Sequence, residues 1–231
     1  MRKRGMLLLC VATIAALLGT GVAVTAVRAA GYPAFWRDRA NELIPADALR
    51  LIALGDSSMV GVGTLDPMNG IAGRVARDLE QQTGRPVHIT NLAVSGSTTA
   101  QMLREQLPQA PLATADIVIV STPSDMESRV PLDEYRRDVD QLTALLPADR
   151  TVISDLPLEP GRDSYQAILT QSTDNASIAR ADFATVFNGH GRRLDIFSLL
   201  PPHLNDRGYN FWSTAFQDPT RRIVRRGPTS G

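Results

Sequence analysis

The quartet Ile117-Val118-Ile119-Val120 constrains this chain more than any other stretch. Four β-formers in a row, with no polar residue between them, leave no face for water and predict a strand covered on both sides. Asp116 precedes the quartet, and Ser121-Thr122-Pro123-Ser124-Asp125 ends it. The pattern recurs along the chain. Strands are predicted over residues 49–54, 87–92, 151–156 and 194–197, and helices over 70–82, 99–107, 132–146, 175–186 and 206–216. Gly84 and Pro108 stop two of these helices, and Asn205 caps the last. The polar stretch 160–174 is predicted to be a surface loop, a candidate lid or rim. Strands alternating with helices predict one parallel α/β sheet with helices on both faces and right-handed crossovers.

Charge narrows the class of partner. Arg2, Lys3, Arg4 and Arg28 lie in the first thirty residues, which hold no acid. With those four set aside, 20 basic residues face 24 acidic ones, a mildly acidic body with no electrostatic footprint for nucleic acid. Lys3 is the only lysine, so the body has no Schiff-base chemistry. Cys10 is the only cysteine, which rules out an intramolecular disulfide, a thiol nucleophile in the body and a zinc–thiolate centre. His88, His190 and His203 are not spaced as a local metal pair, so no metal or cofactor is expected.

The start of the chain reads as an address. Basic residues 2–4 precede an uncharged, mostly apolar run over residues 6–27. Such a start is either a cleaved export signal or a membrane anchor, and the run is long enough to span a bilayer as a helix. Val27-Arg28-Ala29 offers a small-residue ending for cleavage, and Tyr32, Phe35 and Trp36 follow where an interfacial aromatic belt would lie. A lipid on Cys10 is a third reading, against which Leu9 stands where a small residue is wanted. Residues 1–30 are thus read as signal or anchor, 31–47 as a connector in which 37–47 could also be a short helix, 48–218 as the folded domain, and 219–231 as a frayed Arg-rich tail. The protein is expected outside the cytoplasm, tethered through residues 6–27 or secreted.

The chemistry is expected at the strand ends. Leu51-Ile52-Ala53-Leu54 breaks at Gly55-Asp56-Ser57, which would place the Ser57 hydroxyl at the carboxyl end of a buried strand, near backbone N–H groups. The loops after the strands share one sheet edge, and that edge would gather Ser57, Gly96, Ser124, Asp125 and His203.

From residue 49 to residue 216 the chain resembles the SGNH (GDSL-type) hydrolase family. Gly55-Asp56-Ser57-Ser58-Met59-Val60-Gly61 matches the family's first block, Asn91-Leu92-Ala93-Val94-Ser95-Gly96 its second, and His203-Leu204-Asn205-Asp206-Arg207-Gly208-Tyr209 part of its last. The resemblance implies a flavodoxin-like three-layer α/β/α sandwich on a five-stranded parallel sheet. It also implies Ser57 as nucleophile, His203 as general base, and an oxyanion hole from Ser57, Gly96 and the third block.

Two positions depart from that pattern. Thr122-Pro123-Ser124-Asp125 stands where the family has Gly-X-Asn-Asp, so the Ser124 hydroxyl would replace an amide donor. Leu200 stands where the family has the acid three residues before the histidine. Three arrangements follow: Asp195 or Asp206 supplies the carboxylate, a backbone carbonyl holds His203 in a dyad, or the site is weak or inactive. The expected activity is hydrolysis of small or lipid-like esters through a Ser–His acyl-enzyme. A non-catalytic domain binding a ligand or partner, and an acyltransferase acting on cell-envelope sugars, are the alternatives.

Overall fold

The structure is a computed structural model. It describes residues 2–122, 129–156, 161–190, 194–200 and 202–226, with side chains from residue 19 onward except at positions 188, 190 and 194. Strands β1 (Leu49–Gly55), β2 (Val87–Asn91), β3 (Ile117–Ser121), β4 (Thr151–Ser154) and β5 (Ala179–Ala181) form one sheet in the order β2-β1-β3-β4-β5. Every neighbouring pair is parallel.

Alternate residues of the inner strands feed two separate cores, as the pleat requires. Leu51, Ala53, Ile117 and Ile119 face α1 (Arg2–Ala40), α3 (Ile71–Thr83), α7 (Phe183–His190) and α8 (Asp206–Arg226). Ile52, Leu54, Val118 and Val120 face α5 (Leu132–Leu145) and α6 (Asp163–Asn175). All four residues of the quartet are fully buried. The fold is therefore the three-layer α/β/α sandwich with a five-stranded parallel sheet that the resemblance implied. The chain leaves β1 outward to β2 and returns to β3 on β1's other side, so the crevice at their carboxyl ends is the switch point where such sheets bind ligands.

Several elements differ from the sequence reading. The fifth strand is β5, and Leu194–Ile196 is a 3₁₀ turn that buries Ile196. Three residues with one charged side chain suffice at the sheet edge, and Ala-Arg-Ala carries no β-branched signal. The helix expected over 175–186 is split: α6 ends at Asn175, Ser177 turns the chain with φ 56°, and α7 begins only after β5. The expected loop 160–174 is mostly helix α6; its buried face is half hydroxylic, with Ser172 and Thr173 beside Ile168 and Leu169. Thr173 bonds back to the Leu169 carbonyl, which hides its polarity inside the helix.

The ends also differ. Residues 31–40 are not a connector but the last turns of α1, and Tyr32 and Trp36 are buried in the core rather than forming an interfacial belt. Helix α8 continues through Pro219 to Arg226, with Thr220 fully buried, where a frayed tail was expected. Among the described residues, no helix is long and apolar enough to cross a membrane.

Candidate active site

Ser57 begins immediately beyond β1. Gly55 makes this turn with φ +152°, and a Cβ there would come within 2.7 Å of the Ser121 carbonyl oxygen. Asp56 then caps α2 (Ser57–Val60): its carboxylate accepts from the Ser58 N–H at 2.9 Å and from the Ser58 hydroxyl at 2.6 Å. Ser58 Oγ lies 2.7 Å from Ser121 Oγ, which pins the turn to the end of β3. Ser57 is the first residue of α2, where N–H groups have no intrahelical partner. Its own side chain is half-buried at the crevice.

His203 reaches Ser57 from a compact loop ahead of α8. Its Nε2 lies 3.0 Å from Ser57 Oγ. Its Nδ1 lies 2.8 Å from the Leu200 carbonyl oxygen. A carbonyl can only accept, so Nδ1 carries the proton and Nε2 presents its lone pair to the serine hydroxyl. The loop is built to hold that carbonyl still. Leu200 O also accepts from the His203 N–H at 3.0 Å, and the Leu200 N–H donates to Ser198 Oγ at 3.0 Å. Asn205 closes the base of the loop by donating to the Asp195 and Phe197 carbonyls.

Neither carboxylate proposed from sequence faces the imidazole. Asp195 forms an ion pair with Arg207 at 2.5 Å. Asp206 accepts from the Leu65 N–H at 2.9 Å and from Asn69 Nδ2 at 3.0 Å, which ties the loop after Ser57 to the start of α8. Of the three arrangements open in the sequence, the geometry is that of the dyad held by a backbone carbonyl.

The glycine turn after β2 lies beside this pair in the chain's topology. Gly96 is exposed with φ +77°, and the turn is tied to β1 by the Val94 N–H donating to the Gly55 carbonyl at 3.1 Å. Ser124 and Asp125 lie outside the described residues. Among the described residues, no three His, Cys, Asp or Glu side chains gather as a metal site.

Sequence reasoning missed the braces on the loop after Ser57. Trp36 Nε1 donates to the Val60 carbonyl at 2.9 Å, Tyr209 OH to Val62 at 2.9 Å, and Tyr32 OH to Thr64 at 2.7 Å. All three donors are buried, so each satisfies a carbonyl that water does not reach. Burial pushes the Tyr209 hydroxyl well above its ordinary range, with the Asp56 charge adding to it, and so keeps it a donor. Gly63, with φ +101°, lies so close to the His203 loop that a Cβ would collide with the Leu204 carbonyl and crowd Ser198. The aromatic spacing in α1 is the available signal, and in the sequence alone it reads as a membrane feature.

The model of the GDSL-like lipase/acylhydrolase family matches residues 53–211. The chain belongs to this family. Solved structures with the same fold include three esterases and lipases. A lipase/acylhydrolase from Enterococcus faecalis is 16% identical, with a TM-score of 0.61, covering 77% of this chain and 96% of that one. A psychrotrophic esterase from Pseudoalteromonas sp. is 16% identical, with a TM-score of 0.60, covering 76% and 98%. An acetylxylan esterase from Geobacillus stearothermophilus is 18% identical, with a TM-score of 0.54, covering 78% and 96%. No curated protein sequence matches this chain. In this member of the GDSL-like family, the Leu200 carbonyl oxygen lies against His203 Nδ1.

Proposed function

We propose that this GDSL-like protein is a serine ester hydrolase working through a Ser57–His203 dyad. One observation carries the reading: Ser57 Oγ, His203 Nε2, His203 Nδ1 and the Leu200 carbonyl form a continuous chain of short contacts. His203 Nε2 takes the Ser57 proton as Oγ attacks the ester carbonyl carbon. The tetrahedral intermediate collapses, the alcohol leaves with the proton from Nε2, and an acyl-serine remains. Water, deprotonated by the same nitrogen, then releases the acid. The oxyanion is assigned to the N–H groups of Ser57 and Gly96, with the Ser124 hydroxyl as the third donor that the family resemblance implies. The Leu200 carbonyl fixes the tautomer but brings no negative charge, so turnover is slower than with a carboxylate in that place.

Leu65, Val94, Phe197 and Leu199 are exposed on the loops that carry the site, which supports esters with an apolar acyl part. The basic start and the apolar run 6–27 support export of the protein, with that run serving as signal or tether. The test is labelling by a fluorophosphonate probe together with turnover of short- and long-chain p-nitrophenyl esters. Labelling and turnover in the intact protein, both absent in Ser57→Ala, are the expected results. No labelling of the intact protein would overturn the enzymatic reading in favour of a binding domain. Acyl transfer to an added sugar in preference to water would replace hydrolase by transferase.

A further inference from the structure

Gln106 is almost fully buried, yet its side chain does no work for its own segment. It ends a π turn, Met102–Gln106, that follows α4 (Thr99–Gln101). Pro108 explains that turn: it has no N–H to give, and its ring crowds the carbonyl four residues back, that of Arg104, so the helix widens there. The Gln106 amide is thereby delivered to the end of β1. Its Oε1 accepts from the Gly55 N–H at 2.9 Å, and its Nε2 donates to the Gly55 carbonyl at 2.8 Å. The same Nε2 lies 3.2 Å from Ser97 Oγ.

The position of these contacts is informative. β2 pairs with β1 only as far as Ala53–Asn91 and then departs. Gly55, two residues on, lies past that pairing: its carbonyl accepts from the Val94 N–H of the turn beyond β2, and its N–H is met by the Gln106 side chain. Gln106 thus stands in for a strand neighbour and shares the Gly55 carbonyl with the glycine turn. Glycine is the residue least able to hold its own conformation, and this one precedes the nucleophile by two positions. The third contact reaches Ser97, the neighbour of Gly96.

We infer that Gln106 is a positioning residue that sets the spacing between the nucleophile turn and the glycine turn, and so between the two N–H groups meant for the oxyanion. This rests on the hydrolase reading. One clamped amide fixes both turns, and a misplacement of about 1 Å in such a site costs on the order of 10²-fold in rate.

The test compares Gln106→Met, which keeps the volume and removes the amide, with Gln106→Glu, which keeps the shape and the acceptor and loses the donor. For Gln106→Met, kcat on p-nitrophenyl acetate is expected to fall about ten- to hundredfold with KM within about twofold. For Gln106→Glu, kcat relative to the unsubstituted protein at the same pH is expected to rise as pH falls, because the protonated carboxyl regains a donor for Gly55. Unchanged kcat in folded Gln106→Met would overturn the inference. So would a flat pH ratio in Gln106→Glu, should the first variant fail to fold. Amide hydrogen exchange separates this outcome from failure of the hydrolase reading. Faster exchange at Gly55 and Val94 in Gln106→Met is expected whether or not the protein turns over esters, and unaltered exchange there counts against the clamp.

Discussion

His203 is oriented by an oxygen of the main chain, and this has consequences at single positions. Asp195→Asn is expected to change ester turnover by less than about threefold, since its carboxylate serves Arg207 at a surface pair of small worth. His203→Gln should lower kcat by about 10³ or more, because serine and histidine act as a unit and the remaining groups cannot take the serine proton. Steady-state kinetics with a p-nitrophenyl ester decides both. Ser57 and His203 were legible in the sequence because a glycine-flanked serine after a strand and a histidine before a helix cap have recognisable side chains. The partner of Nδ1 was not legible, because every residue owns a carbonyl and no letter marks the one that is used. Gln106 was hidden for a related reason: a glutamine in a helix reads as surface, and only the widening forced by Pro108 turns it inward.

Among elements, the loop over residues 60–65 shows how strongly its surroundings set its shape. Gly63→Ala combines a left-handed backbone with a collision at the Leu204 carbonyl. It should cost about 1–3 kcal/mol of stability from backbone strain, and it should push the His203 loop away from Ser57. Denaturant unfolding reads the first effect, and fluorophosphonate labelling rate the second. Trp36→Phe leaves the Val60 carbonyl buried without its donor and should cost about 1–3 kcal/mol, measured by the same unfolding transition. The inner strands were readable because their apolar residues are continuous. Helix α6 and strand β5 were not, for opposite reasons. Hydroxyl groups make up half of the buried face of α6, and β5 is three residues whose pairing with β4 comes from the sheet and not from their own propensity.

On the scale of the whole molecule, the body recognised from residue 48 onward begins earlier. A chain shortened to start at residue 31 keeps Tyr32 and Trp36 and should unfold within a few degrees of the full chain. One starting at residue 41 loses both and should melt markedly lower, with faster proteolysis of the loop after Ser57. Thermal unfolding of the two truncations tests this, and equal melting temperatures would show that the aromatic braces are dispensable. The ordering of the braces along the polypeptide has one more effect. Two come from the beginning of the chain, while the third, Tyr209, and the base, His203, come from near its end. Ser57 is therefore synthesised 146 residues ahead of His203, and its hydroxyl meets the imidazole only once that whole stretch has been made and folded.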